Sequence, residues 1–219
     1  MTTAIIVGRS RPDLAKRCLD SLGEAQPERT VFVVNKCPET VALVAGYAWV
    51  EVINHPRNDG FWHGMNLALA SVPEREPFCY FGQDVIFDAA WLEHSSAMFR
   101  DKFPTGLGLL CFWDGLHDGG IAAHGMTTRA WLNVVYGLPL FPSEAFYHYH
   151  LDSEFSHRSK TMARYEYCPA SKVPHLHEPS GFKDVDRLGI NDYNSNNTRW
   201  GEWGATGYNF AMDRLRRTA

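Results

Sequence analysis

Apolar positions follow two different spacings along the first half of the chain. Short apolar runs at residues 4–7, 30–34, 49–53 and 78–81 have the length and composition of strands. Between them, apolar residues recur at helical spacing. Leu14, Cys18, Leu19 and Leu22 predict a helix over 13–22, with Pro12 just ahead of it. Met65, Ala68, Leu69 and Val72 predict another over 64–72, which Pro73 ends. Residues 89–99 form a third amphipathic stretch, and 41–45 suit a short helix. Strands alternating with helices imply an α/β fold, with a mostly parallel wound central sheet flanked by helices.

The second half is less regular. Residues 107–112 read as a strand, and 114–120 as a loop of Gly, Asp and His. Thr127 suits the cap of a helix that Gly137 stops. Residues 138–150 form a loop rich in Pro and aromatics. Leu151, Phe155, Arg158 and Met162 then line one side of a helix over 152–164. From Pro169 onward the chain is turn-rich, and 191–197 is strongly polar. No repeat and no long linker divides the sequence, so one domain over 1–219 is expected.

Composition narrows the class. The chain is 45% hydrophobic and 21% charged. Ordinary globular domains have the same balance. Its formal net charge is -4, and no long basic run offers general electrostatic support for a phosphate backbone. The basic group Arg214, Arg216 and Arg217 reads as a solvated helix end. No apolar run reaches the roughly 18 residues of a membrane span, and no charged n-region with an h-region opens the chain. Five cysteines, with no CxxC among them, fit reduced thiols and a cytoplasmic location. Many aromatics fall in Gly-rich or polar stretches, which suits a lined cleft as well as a core.

Four segments carry candidate chemistry. In a wound sheet, ligands bind outside the carboxyl ends of the strands. Gly8, Arg9 and Arg11 after the first strand, and Asn35 after the second, would lie there; both are also ordinary strand-to-helix loops. In NDGFWHGMN, residues 58–66, Gly60 and Gly64 permit close backbone approach and Asn66 is expected to begin a helix. That suits a ligand over a helix N-terminus, although a Gly-rich loop with an Asn cap reads the same way. In YFGQDVIFD, Gln83 and Asp84 follow a strand, and Asp84 either holds a divalent ion through oxygen or simply turns the chain.

The fourth segment is HLDSEFSHR, where Asp152 and Glu154 open a helix two residues apart. Two positions are roughly 200° around a helix axis. One acid can therefore face a cleft and take a proton from a hydroxyl, while the other meets solvent or a basic group. Acids also favour helix N-termini for the dipole alone. Further on, His175 and His177 in PHLHEPSGF would face the same way on an extended segment, and either could reach a metal. The histidines at 117, 124, 148 and 150 have no assignment from sequence.

In this order and spacing, the segments resemble the family 2 glycosyltransferases of the GT-A fold, over roughly residues 4–201. IIVGRSRPDLAKRCLDSL is similar to the family's opening strand, Arg-Pro turn and helix. VFVVNKCPET resembles its second strand, with Asn35 where the family has an Asp that contacts the nucleotide base. NDGFWHGMNLALA matches the N-x-G-F-x-x-G-x-N loop of rhamnosyltransferase-like members. YFGQDVIFDAAWLEH falls at the metal motif, with Asp84 kept and Gly82 in the first polar position. LDSEFSHR resembles the segment that holds the catalytic base, with Asp152 in that position and Leu151 in place of the preceding acid. PHLHEPS and TRWG, at 198–201, are similar to the family's later His segment and its KWG.

The resemblance implies a nucleotide-sugar half over 1–100 and an acceptor half over 101–219. It implies a UDP-, dTDP- or GDP-linked donor over the strand ends, contacted by Gly8, Arg9, Arg11, Asn35, Asn58, Gly60, Gly64, Asn66, Gln83 and Asp84. Mn2+ or Mg2+ would be held by Asp84 with His175 or His177. Asp152 would deprotonate the acceptor hydroxyl, with inversion at the sugar carbon. Trp113, Tyr147 and Glu154 are the expected acceptor contacts, with Trp62 a further ring for a sugar face. The acceptor would be a glycan, a lipid-linked sugar, a protein or a modified nucleobase. Two other readings stand beside this one: a binding module on the same fold that has lost turnover, and a nucleotidyltransferase. The single Gly in GRSRPD speaks against the second.

Overall fold

A computed structural model describes residues 1–144, 146 and 150–176. In chain order they form β1 (Thr3–Gly8), α1 (Pro12–Leu22), β2 (Arg29–Asn35), α2 (Pro38–Val44), β3 (Val50–His55) and α3 (Phe61–Leu69). There follow β4 (Phe78–Gly82), α4 (Trp91–Lys102), β5 (Leu109–Trp113), β6 (Gly125–Thr127), α5 (Arg129–Tyr136), α6 (Leu151–Thr161) and β7 (Tyr165–Lys172). One seven-stranded sheet runs in the order β3-β2-β1-β4-β6-β5-β7. Neighbours from β3 across to β4 are parallel, as are β5 and β7; β6 alone runs antiparallel, between β4 and β5.

Strands β1 and β2 are apolar at successive positions because both of their faces are covered. Ala4, Ile6, Phe32, Val34, Cys79 and Phe81 point into one layer, with Cys18 and Leu19 of α1 and Trp91 of α4. Ile5, Val7, Val31, Val33, Phe78 and Tyr80 point into the other, with Met65 of α3, Trp131 of α5 and Phe155 of α6. The period of two along each strand thus fills both cores. Trp62, Trp91 and Trp131 are among the largest fully buried side chains. Truncating any one of them to Ala should cost about 3–5 kcal/mol. Trp62 packs on Phe61, Tyr80 and Phe141, so it is a core ring and offers no face to a sugar. All five cysteines are free thiols. No helix among the described residues is long and apolar enough to cross a membrane.

Several local expectations are corrected. Helix α3 begins at Phe61, one turn earlier than its apolar spacing suggests, because Gly60 at φ 93° turns the chain into it. Asn66 therefore lies inside the helix and does not begin it. The cap of α5 is Thr128, whose hydroxyl accepts the Trp131 N–H at 3.1 Å; Thr127 ends β6 and donates to the Gly108 carbonyl. Helix α6 stops at Thr161, and Ala163 takes a left-handed φ of 53° before β7 pairs with β5. Strand β7 contains Pro169, tolerated because among the described residues this is the last strand of the sheet and its register jumps from Phe112–Cys168 to Trp113–Lys172. Finally, β6 has only three residues, too few to show a period.

Candidate active site at the carboxyl ends of the strands

The sheet order reverses at β1, which lies between β2 and β4, and in open α/β sheets ligands bind outside the carboxyl ends of the strands at such a point. Their ends are level: Gly8 pairs with Val34, and Val7 with Gly82. At the β4 end, Asp84 Oδ2 meets His175 Nε2 at 3.1 Å. The chain after β7 brings His175 there by backbone bonds, with Leu176 N–H on the Asp84 carbonyl at 2.7 Å and Ile86 N–H on the Pro174 carbonyl at 3.0 Å. Burial pushes the Asp84 carboxyl up, but the His175 hydrogen bond and the charges of His175 and His124 outweigh it and hold the group well below the usual carboxylate range. The His124 ring stands edge-on to His175 at 4.8 Å, and burial pushes its pKa down to about 3.

Gly82 has a steric reason. A Cβ there would stand 2.5 Å from Asp84 Oδ1, because the carboxylate folds back over the glycine. A polar side chain at 82 and this placement of Asp84 exclude each other. Gly8 is bare for a similar reason: a Cβ would strike the Gln83 side chain, which crosses it to donate to the Ser10 carbonyl.

A second carboxylate–imidazole pair follows β5. Asp114 Oδ1 accepts the N–H groups of Leu116 and His117, and its Oδ2 meets His117 Nδ1 at 2.5 Å. The two pairs are joined, since His175 N–H donates to the Asp114 carbonyl at 2.9 Å. The hydrogen bond that Asp114 accepts from the His117 ring raises the His117 pKa, and the charge of Asp152 at the start of α6 adds to that shift. Asp84, His175, Asp114 and His117 are therefore linked by hydrogen bonds at the strand ends.

No known family model matches the sequence, and no curated protein does. Solved structures do. A mannosyltransferase from Pyrobaculum calidifontis, PcManGT, in complex with GDP-Man and Mn2+, superposes with a TM-score of 0.65 at 15% identity, over 83% of this chain and 58% of that one. Residues 1–349 of S. aureus TarS give 0.62 at 15% identity, over 88% and 65%. GalNAc-T7 with UDP, GalNAc and Mn2+ gives 0.61 at 12% identity, over 83% and 44%. This chain has the GT-A fold. It spans between 44% and 65% of the length of these three solved chains.

Within the GT-A fold the remaining expected residues divide. Arg9 and Arg11 are exposed beside the β1 end, and Asn58 is half-buried in the loop before α3. Asn35 is buried and donates from Nδ2 to the Gly60 carbonyl at 3.1 Å. Gly64 lets α3 sit on the sheet, since a Cβ there would come within 2.9 Å of Val7. Asn66 clamps the backbone of Phe141, donating to its carbonyl at 2.8 Å and accepting its N–H at 2.9 Å. Gly64 and Asn66 thus hold elements together. Trp113 is half-buried at the β5 end.

Glu154, expected among acceptor contacts, is instead a core residue. It is 1% exposed, accepts the Tyr136 hydroxyl at 2.5 Å and pairs with Arg158. Tyr147, His177 and the 198–201 segment lie outside the described residues, as do the polar stretch 191–197 and the basic group at 214–217. Asp114 and His117 escaped the sequence reading because D-x-x-H inside a Gly-rich loop reads as a turn.

Proposed function

We propose that this chain is an inverting glycosyltransferase that moves a hexosyl or deoxyhexosyl group from a nucleotide-sugar donor to an acceptor hydroxyl. What supports the reading is the hydrogen-bonded group Asp84, His175, Asp114 and His117 at the strand ends of a GT-A fold, with Asp152 in the first turn of α6 acting on His117 through its charge. GDP-Man and UDP, named in the solved neighbours, set the donor classes to try first.

Asp84 and His175 fit a divalent cation. They offer an ionised oxygen donor and an imidazole nitrogen 3.1 Å apart, both partly open to solvent. Such a set suits Mn2+. A cation bound there, Mn2+ or Mg2+, supplies positive charge against the donor diphosphate. Arg9 and Arg11 lie where they can meet the same phosphates. Asn35 and Gly60 form the wall that the nucleobase meets.

Asp152 takes the proton from the acceptor hydroxyl as that oxygen attacks the sugar carbon from the face opposite the leaving diphosphate. Its position at the start of α6 favours the carboxylate form through the unsatisfied N–H groups of the first helical turn. His117, held by Asp114, adds positive charge to the surroundings of that carboxylate when protonated. Trp113 offers a ring face to the acceptor, and the aromatic loop 138–150 leads straight into Asp152. The acceptor belongs to the glycan, lipid-linked sugar, protein or modified-nucleobase classes, and the setting is cytoplasmic.

The test is donor turnover with and without Mn2+, preceded by a thermal-shift screen of GDP-, UDP- and dTDP-sugars. One donor should raise the melting temperature only with metal and should be consumed when the metal is present. A donor that binds tightly and is never consumed with any acceptor class would replace this reading with that of a binding module.

A further inference from the structure

A second group of metal-ligating side chains stands outside the hydrogen-bonded group just described. His55 is the last residue of β3, Asp59 lies in the following loop, and His63 is in the first turn of α3. His55 Nε2 is 2.8 Å from Asp59 Oδ2, and His63 Nε2 is 3.9 Å from the same oxygen. One ligand atom from each residue lies within 4.8 Å of the other two. A four-coordinate ion with bonds of about 2.0–2.1 Å sets its ligand atoms about 3.3 Å apart. The two distances measured to Asp59 bracket that spacing. We propose that His55, Asp59 and His63 bind a transition-metal ion, Zn2+ by preference, at a site separate from Asp84 and His175.

The fold builds this arrangement from ordinary parts. Lys36 N–H holds the His55 carbonyl at 2.9 Å, which fixes the end of the β3 strand. Gly60, at φ 93°, turns the loop back so that α3 starts beside that end. The rings of His55 and His63 then lie 5.2 Å apart with 38° between their planes. Two imidazole nitrogens and one carboxylate oxygen suit Zn2+, Co2+ or Ni2+ better than Mg2+ or Ca2+, which take oxygen ligands. The His55 side chain is mostly covered, while those of Asp59 and His63 are about one-third open to solvent. An ion can therefore enter and keep a water as its fourth ligand.

Arg57 is the competitor. Its Nη2 lies 3.0 Å from the same Asp59 oxygen, but its side chain is 73% exposed and can swing into solvent. Exposed ion pairs of this kind are weak beside metal–ligand bonds. A bound ion would tie the end of β3 to the start of α3 across residues 56–60. Gly60 in that loop carries the carbonyl that Asn35 holds, so occupancy would stiffen one wall of the strand-end crevice.

The experiment uses the full chain with Mn2+ present in excess, so that the Asp84–His175 pair is not the site being read. Co2+ is titrated while its ligand-field absorption is followed, and Zn2+ is then added. One equivalent of Co2+ should bind, with displacement by Zn2+. His63→Ala and Asp59→Asn should each weaken binding at least about tenfold, since even outer-shell losses commonly cost that much. Asp84→Asn should leave it unchanged. His63→Gln, which keeps a side chain of similar reach on this partly exposed helix turn, serves if the alanine variant is unstable. Undiminished binding in His63→Gln and Asp59→Asn, loss of binding in Asp84→Asn, or no Co2+ binding to the wild-type chain would overturn the proposal. The readout is metal affinity, so it stands or falls independently of whether a nucleotide-sugar is consumed.

Discussion

Asp152 and Glu154 stand two residues apart at the start of α6, yet they occupy different surroundings. Glu154 faces the core, where Tyr136 and Arg158 take its oxygens. Burial pushes its carboxyl up, while the Arg158 charge and both hydrogen bonds pull the other way. Asp152 is only partly covered, accepts the Ser153 N–H at 2.8 Å, and lies close enough to His117 to shift its titration. Both are acids in the first turn of one helix, where the dipole favours either. What separates them is the angle around the axis, which buries one acid in the core and leaves the other only partly covered.

The largest expected effect comes from breaking the buried member. Glu154→Ala leaves Arg158 buried without its carboxylate and should destabilise the chain by about 3–5 kcal/mol, read by chemical denaturation. Replacing both residues, Glu154→Leu with Arg158→Met, should recover most of that loss, because no charge is then left unpaired. Turnover per folded molecule should change little in the double variant.

Asp152→Asn should do the opposite. Turnover should fall at least about a hundredfold, the scale of a lost general base, while stability moves by no more than about 0.5 kcal/mol. Wild-type turnover in this variant would remove Asp152 from the mechanism and leave the two acids of α6 with no functional contrast.

A smaller effect is expected at the other acid of the crevice. Gly82→Ala forces the Asp84 carboxylate from its place. Mn2+ affinity should then drop about tenfold by calorimetric titration, the scale at which metal sites respond to misplaced ligands. Unchanged affinity would mean that Asp84 holds no ion in this orientation.

The smallest effect is the most discriminating between the two acids. Asp152→Asn should lower the His117 titration midpoint in an NMR pH series, and Glu154→Gln should not, since Asp152 but not Glu154 acts on that ring. The pH dependence has a fixed sign. His117 is raised above its ordinary value of 6.5, chiefly by the Asp114 hydrogen bond. The stability this pair contributes is therefore complete below that value and is lost as pH rises through the raised one.

How much of this was legible in the sequence follows from burial and length. Strands β1, β2 and β4 showed as apolar runs because both of their faces are covered. Strand β6 was too short for a period, and β7 carries Pro169 and follows a helix whose apparent spacing ran past its end at Thr161 up to the strand. The GT-A fold was legible because the order of the Asp84 and Asp152 segments along the chain constrains them jointly. Glu154 was misplaced because a polar residue paired in the core looks no different in sequence from one in a cleft. His55, Asp59 and His63 repeat at intervals of four, which on a continuous helix would be a single face. Here Gly60 breaks that path, so the cluster forms between a strand end and a helix start, and spacing alone could not have given its geometry.

Pro169 and the register jump in β7 have a consequence for the molecule in a crowded solution. Outer strands invite self-association because their free N–H and C=O groups can template a strand from another copy. Along β7 such a strand would reach a position with no N–H to offer, within residues 169–171, where the chain bows out of register. Pro169 and the register shift make β7 a poorer template for such a ladder than a regular strand. The segment least legible as a strand therefore carries, at the outer strand of the described sheet, a feature that works against edge-to-edge pairing.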